Sequence, residues 1–396
     1  MAAAEPLAWP FGTGGDYTEQ LDWMTDVPAA ATGETKHSRL RQSPRVTLAM
    51  ASLENGRSRR RMDALLRQNS AGQWRAPVLV DACRLTAAAD AADTVIALDV
   101  ADARFLAGGH ALLWNGDAFT AEVVEIDAGG VAADALTLAA GLASAWPAGT
   151  LVTPLRKARL TEFPQVGRFT SDASDVVDLA FGLIEPLDDT PEITGDTYRG
   201  YPVWPFRPVW TSDPAWVPQR DVQGVDYEFA PPVVHDLAGM SQGRTTMQYA
   251  PDTRAAVVAF RRALFALAGR WAPVWVDTAT ADVRIVANVA NGANSIDIEG
   301  PLLADTGVTN NQRDLRIQLW NGTVLYRRVT GVTTPAPGVE RLALGSAIAT
   351  GFAAADVVLA SWLLLSVQDA DTNLLRYWTR DLLECELTWR QLVHGL

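Results

Sequence analysis

The chain has 396 residues, 48% hydrophobic and 20% charged, with mean hydropathy +0.03, formal net charge −13 and a pI of about 4.8. This is globular composition with room for two domains, and it excludes a disordered chain, which would combine low hydrophobicity with high charge. The acidic balance argues against general nucleic-acid binding, which needs clustered cations, and two cysteines, Cys83 and Cys385, are too few for a disulfide framework or a zinc site.

The opening residues hold neither a basic stretch nor an apolar run, so no signal peptide is expected. Gly12 to Gly15 lies too near the start to follow a strand and open a helix, so it reads as a turn and not a dinucleotide loop. The first helix is expected over 57–68, with Met62, Leu65 and Leu66 on one side and arginines on the other. Strands are expected over 77–81, 95–100 and 122–126, and Asn115-Gly116 signals a type I′ hairpin. The run 185–196 is acidic, bears Pro and Gly and has little to bury, which is linker composition. It divides a first unit, 1–186, from a second, 201–396, with 187–200 between them.

In the second unit a helix is expected over 252–268, with Asp252 as N-cap and Gly269 just past its end. Val257, Phe260, Leu264 and Leu267 form one apolar stripe, read as core packing. Strands follow at 273–277, 295–299 and 324–329, and Asn321-Gly322 marks a second hairpin. The apolar run 357–367 is too short to span a membrane and reads as a strand. Asp369 to Asn373 begins like a calcium loop, but Leu374 stands where Gly is required and Arg380 where Glu is required, so a polar turn is expected.

The two units share motifs in one order. Trp9-Pro10-Phe11 recurs as Trp204-Pro205-Phe206, the run from Trp74 to Asp81 as that from Trp271 to Asp277, and Leu113-Trp114-Asn115-Gly116 as Leu319-Trp320-Asn321-Gly322. Arg168-Phe169 and Arg376-Tyr377 open similar apolar strands near each end. Ordered recurrence with drifting spacing implies internal duplication with loop insertions. The fold expected is mainly β with one helix per repeat, as two tandem β-barrel or β-sandwich domains.

No catalytic or metal constellation emerges. His37, His110, His235 and His394 share no ligand spacing, and no HExxH, CxxC or Gly-x-Ser-x-Gly motif occurs. No catalytic residue, metal or cofactor is therefore assigned. Asp81 and Asp277 hold equivalent repeat positions and read as duplicated structural turn residues, with a duplicated catalytic residue as the alternative. The 14 tryptophans are numerous for this length, and several gather at the starts of the units beside Phe, Pro and Arg. Trp9, Phe11, Trp23, Trp204, Phe206, Arg207, Trp210 and Trp216 are thus candidate interface anchors, since aromatics and Arg bury large areas at low entropic cost. An aromatic strand covering the chain's own barrel, or a carbohydrate platform, would use the same residues.

The stretch from Gly243-Arg244-Thr245-Thr246 through Phe260-Arg261-Arg262 to Trp271-Ala272-Pro273-Val274-Trp275-Val276-Asp277 resembles tail proteins of bacterial viruses and gene transfer agents, where strand, helix, Gly turn and an aromatic strand ending in Asp succeed one another. The opening Trp-Pro-Phe, the segment from Glu19 to Asp26 and that from Arg39 to Arg45 are similar to proteins encoded after the tape-measure gene of long-tailed phages. The first unit departs from this pattern at 69–73, where its turn is longer. The resemblance implies a distal-tail or baseplate-hub protein, built on tail-tube-like β-barrels that form a ring around the DNA channel. It implies as partners other copies of the chain, the tail tube protein, and hub or fibre proteins, with DNA only in transit and no membrane insertion. A hexamer is favoured by analogy, and a trimer with pseudo-sixfold symmetry follows if both units line the channel. The expected location is the virion tail, after synthesis in the host cytoplasm. A glycan-binding or glycan-cleaving tail protein is the alternative.

Overall fold

The computed structural model describes residues 6–392 except 31–32, 212–213, 221, 227, 230, 237–240 and 309–311. The chain is mainly β. Leaving aside shorter strands, the first half contributes β1 (Tyr17–Asp22), β2 (Arg45–Asn55), α1 (Gly56–Asn69), β3 (Trp74–Pro77), β4 (Val95–Ala97), β5 (His110–Trp114), β6 (Glu122–Val131), β7 (Ala135–Leu138), β8 (Leu151–Leu160), β9 (Gln165–Arg168) and β10 (Ala173–Leu183). The second contributes β11 (Ala215–Gln219), β12 (Gln242–Tyr249), α2 (Arg254–Leu267), β13 (Val274–Asp277), β14 (Ala293–Glu299), β15 (Asp314–Leu319), β16 (Val324–Ala336), β17 (Val339–Ile348), β18 (Val357–Gln368), β19 (Thr372–Thr379) and β20 (Leu382–Gln391).

All the ladders between these strands are antiparallel. β1 pairs with β2, β2 with β10, β10 with β9 and β8, β8 with β3 and β5, β5 with β6, β6 with β7, and β7 with β4. Adding ten to each number gives the pairing of the second half. Among the described residues, one ladder crosses between the halves: β1 against β19, from Tyr17↔Tyr377 to Asp22↔Thr372.

The central core draws on both halves. Trp9, Leu48, Trp74 and Phe181 meet Trp204, Phe260, Leu264 and Trp389 within one apolar cluster. Each half also has a core of its own, around Ile96, Leu113 and Leu136 in the first and Ile298, Ile317 and Leu342 in the second. The Trp-Pro-Phe motif does the same work twice. Trp9 N donates to Arg75 O (3.1 Å) and Trp204 N to Trp275 O (2.8 Å), so each Trp enters beside a short buried strand. Trp9 packs edge-on against Phe11, Trp74 and Phe181, and Trp204 against Tyr249, Phe260 and Trp389.

Both helices stand where the apolar spacing places them, with small differences at the ends. Thr253, not Asp252, caps α2: its backbone is extended and its Oγ1 accepts from Ala256 N at 3.2 Å. All four stripe residues are buried, as are Val258, Arg261, Ala263 and Phe265, so α2 is enclosed on most of its circumference. The expected strand over 77–81 is instead β3 followed by a 3-10 turn, Leu79–Asp81. Val78 N still bonds Pro154 O, but Asp81 N turns back to Val78 O, which carries the Asp81 side chain into the interior. At Asn115-Gly116 and Asn321-Gly322 only the glycines have positive φ (101° and 84°), so neither hairpin has the type I′ turn expected. The segment 185–196 is more engaged than its composition suggests: Leu187 is buried in the central core, and Glu192 N donates to Arg262 O (3.1 Å) on α2.

Candidate assembly surface

β1 alternates fully buried and half-buried residues, with Tyr17, Glu19 and Leu21 facing inward. β19 meets it with Asn373, Leu375 and Tyr377 on the same inner face. Beyond β1 the chain forms a short arm, in which Thr25–Asp26 pairs with Ser38–Arg39 before returning as β2. This arm lies across the second half. The Trp23 ring packs edge-on against Phe265 in the last turn of α2 (5.3 Å), and its Nε1 donates to Asn373 Oδ1 (3.2 Å). Thr25 donates through its backbone N (2.8 Å) and Oγ1 (2.9 Å) to the Asp371 carboxylate in the turn before β19. The Arg39 guanidinium lies 5.4 Å from the rings of both Trp23 and Trp271.

Beneath the joint lies a buried charge cluster. Arg104 donates bidentately to Glu19 (2.7 and 2.8 Å) and through Nε to Asp81 Oδ2 (2.6 Å). Asp81 Oδ1 also accepts from Arg254 (2.8 Å) and Arg261 (3.0 Å), both on α2. Arg261 reaches on to Asp189 (3.2 Å) in the segment between the halves. One carboxylate of the first half therefore anchors two guanidiniums of the second. Burial would push the Asp81 carboxyl upward, but Arg104, Arg261 and Arg254 together hold it well below the usual carboxylate range. Burial raises the Tyr17 and Tyr377 phenols, and nearby Glu19 adds to both shifts.

Arg156 binds no carboxylate in this cluster. It donates to the carbonyls of Pro186 (3.1 Å), Leu155 (3.1 Å) and Arg104, and burial pulls its pKa down to about 10. Asp81 and Asp277 do not occupy equivalent places: Asp81 lies in the 3-10 turn after β3, whereas Asp277 is the last residue of β13 and accepts from Arg207 (2.5 Å) and Ser361 (3.3 Å).

Four of the eight expected interface anchors are a correction. Trp9, Phe11, Trp23 and Trp204 are buried within the chain, because each has an apolar pocket of its own to fill. Trp23 does lie at an interface, the one between the chain's own halves. Phe206 is half-buried against Phe260 (4.9 Å between rings), and Arg207 is held by Asp277 and Gln318. Trp210 and Trp216 alone stand mostly exposed, at 61% and 59%.

Their surroundings mark one of the two outer edges of the sheet. β11 is exposed at all five residues and pairs, among the described residues, with β12 only. Beyond it a hairpin, Val222–Val225 against Val233–Asp236, exposes Val222, Val233 and Val234. At the opposite edge β9 pairs, among the described residues, with β10 only, and Phe163 (76% exposed) and Phe169 (66%) flank it. Exposed apolar side chains clustered at unpaired strand edges mark surfaces suited to association.

The cluster arginines escaped sequence reading. Glu19 at an inward position of an alternating strand, and Arg261 within the apolar stripe of α2, were the available signals, since a charge on a core face requires a partner. Cys83 and Cys385 are both free and buried, and burial pushes their thiols up to about 11 and about 12. Burial lowers the His37 and His110 imidazoles, and His394 lies outside the described residues. Among the described residues no three or more His, Cys, Asp or Glu side chains form a metal-holding group, and no helix is long and apolar enough to cross a membrane. No protein-family model matches the chain, and no curated protein sequence matches it.

Proposed function

We propose that this protein is a structural ring subunit of a phage tail tip, built from a duplicated tail-tube-like β-barrel or β-sandwich unit. One observation carries the reading: the two halves share one pairing order and are joined edge to edge through β1 and β19, while β9 and β11, counterparts of the two strands in that joint, remain open among the described residues at the two outer edges of the sheet. A subunit that carries one joint inside and half of the same joint at each end extends head to tail, and closing the series removes its exposed edges. The side-by-side joint places both halves in one layer, so three chains supplying six halves fit this geometry better than six chains with one half outside. The net charge of −13 suits a conduit that DNA must pass without sticking. The neighbours in this reading are the tail tube protein on one side and hub or fibre proteins on the other.

The test is the mass of the purified chain by light scattering across a concentration and salt series, together with negative-stain imaging of virions carrying a labelled chain. A discrete closed oligomer and label at the tail tip are expected. A strict monomer at every concentration, with no label at the tip, overturns the reading. Binding of a glycan by an assembled protein, lost in Trp216→Ala, would move the assignment to the carbohydrate alternative.

A further inference from the structure

We propose that the interchain joint repeats the joint inside the chain: β9 of one copy pairs antiparallel with β11 of the next, and the hairpin beyond β11 lies across the first half of that neighbour. The proposal rests on the ring reading and specifies its contact.

The internal joint supplies the template. β1 is bounded on one side by β2 and on the other by β19, which is itself held by β20. At the outer edges of the sheet, β11 has its β12 and β9 has its β10, and each lacks the outer neighbour among the described residues. The last residue of β1, Asp22, faces the first residue of β19, Thr372. Carried through the ladders, in which Val166 faces Val176 as Leu375 lies beside Cys385, Gln165 takes the place of Leu374 and Val217 that of Gln20, so the same register sets Val217 opposite Gln165. Pro218 falls one place beyond Gln165, so Val217, Trp216 and Ala215, the β11 residues opposite β9, all retain their backbone donors.

The arms follow the same correspondence. Inside the chain the arm after β1 covers the turn before β19 and the C-terminal end of α2. The hairpin after β11 would then cover the turn 161–164 before β9, where Phe163 is exposed, and the C-terminal end of α1. Charge agrees: α1 exposes Arg67 in its last turn and the hairpin exposes Asp226 and Glu228. The apolar residues agree as well, since Val222, Val233 and Val234 on the hairpin would bury against Phe163, as Trp23 does against Phe265 inside the chain. The internal ladder has six residue pairs, whereas β9 can offer four, so the joint between chains is the weaker of the two and assembly is concentration-dependent.

Mixed-disulfide formation tests the pairing. Gln165→Cys and Val217→Cys are made in separate chains; both positions are exposed, and the native cysteines are buried. Facing residues of an antiparallel pair lie about 4.5–5.5 Å apart at Cα, within disulfide reach. A covalent heterodimer is expected when the two chains are mixed under mild oxidation, with none from either alone. Phe163→Glu should weaken assembly by about tenfold or more, as loss of a central anchor does, with an unchanged circular dichroism spectrum. Light scattering on the same samples separates the failures. An oligomer without the mixed disulfide, or with disulfides from one variant alone, overturns this joint and leaves the ring reading standing. A monomer throughout, without cross-link, overturns both.

Discussion

Asp81→Asn is the most informative single substitution in this fold. It preserves side-chain volume and removes one buried negative charge at the point where three guanidiniums converge, at 2.6, 2.8 and 3.0 Å. Arg104 keeps its bidentate bond to Glu19 and Arg261 keeps Asp189, but Arg254 is left with backbone carbonyls alone. Breaking a buried ion pair from one side costs about 3–5 kcal/mol, because the remaining charge stays desolvated. The surviving partners of Arg104 and Arg261 place the expectation at the lower end, about 3 kcal/mol. Urea unfolding followed by tryptophan fluorescence reads the change, because Trp9, Trp23, Trp74 and Trp204 are buried in the core that the cluster adjoins. An equal urea dependence with a lower midpoint shows a loss of stability without a change in the surface exposed on unfolding. A loss below about 1 kcal/mol, the size of an exposed pair, would refute the argument that this carboxylate holds the halves together.

The same carboxylate sets an acid limit. Its folded pKa lies below the unfolded value, so its ionisation stabilises the fold above about pH 4, and that stabilisation is lost as pH falls from there toward the depressed folded value. Melting temperatures of the wild type and Asp81→Asn should therefore converge below about pH 4, and a gap that stays constant down to pH 3 contradicts this. Phe260→Ala removes a ring packed against Trp204, Phe206 and Tyr249 and should cost about 3–5 kcal/mol in urea unfolding. Thr253→Ala deletes the α2 cap and should cost about 1 kcal/mol, with Asp252→Ala close to neutral. Gly269→Ala combines a positive φ of 68° with a Cβ placed 2.9 Å from that of Trp23, and should lower stability by roughly 1–3 kcal/mol while shifting Trp23 fluorescence.

How far the fold could be read from the sequence depended on whether the signal was local. The stripe Val257, Phe260, Leu264 and Leu267 gave α2 to within two residues at either end, because helix periodicity needs no distant partner. The Asn-Gly pairs located both hairpins but not the turn type, which is fixed by how the strands enter the turn and how many residues connect them. Trp9 and Trp204 were recognisable as anchors but not as anchors of the interior. Burial depends on which pocket a ring fills, and those pockets are built from strands far away in sequence. Most of the candidate surface was illegible for the same reason. Nothing in the six residues of β1 names β19 as neighbour, and nothing near Asp81 announces Arg254 and Arg261, which arrive more than 170 positions later.

The β1–β19 ladder also has a consequence for the order of events during synthesis. Trp23 and its partner Asn373 are separated by 350 residues. At translation rates of about 5–20 residues per second, roughly 20–70 s pass between their emergence. Through that interval the first half has an open strand at both of its ends, and on a polysome many such halves lie close together. A chain cut short before β19 lacks the partner of β1, so its β1 and β9 edges are both left without an outer neighbour. Truncated chains of this protein are therefore expected to associate with one another through these open edges, so premature termination is more damaging here than in a protein whose first half closes on itself.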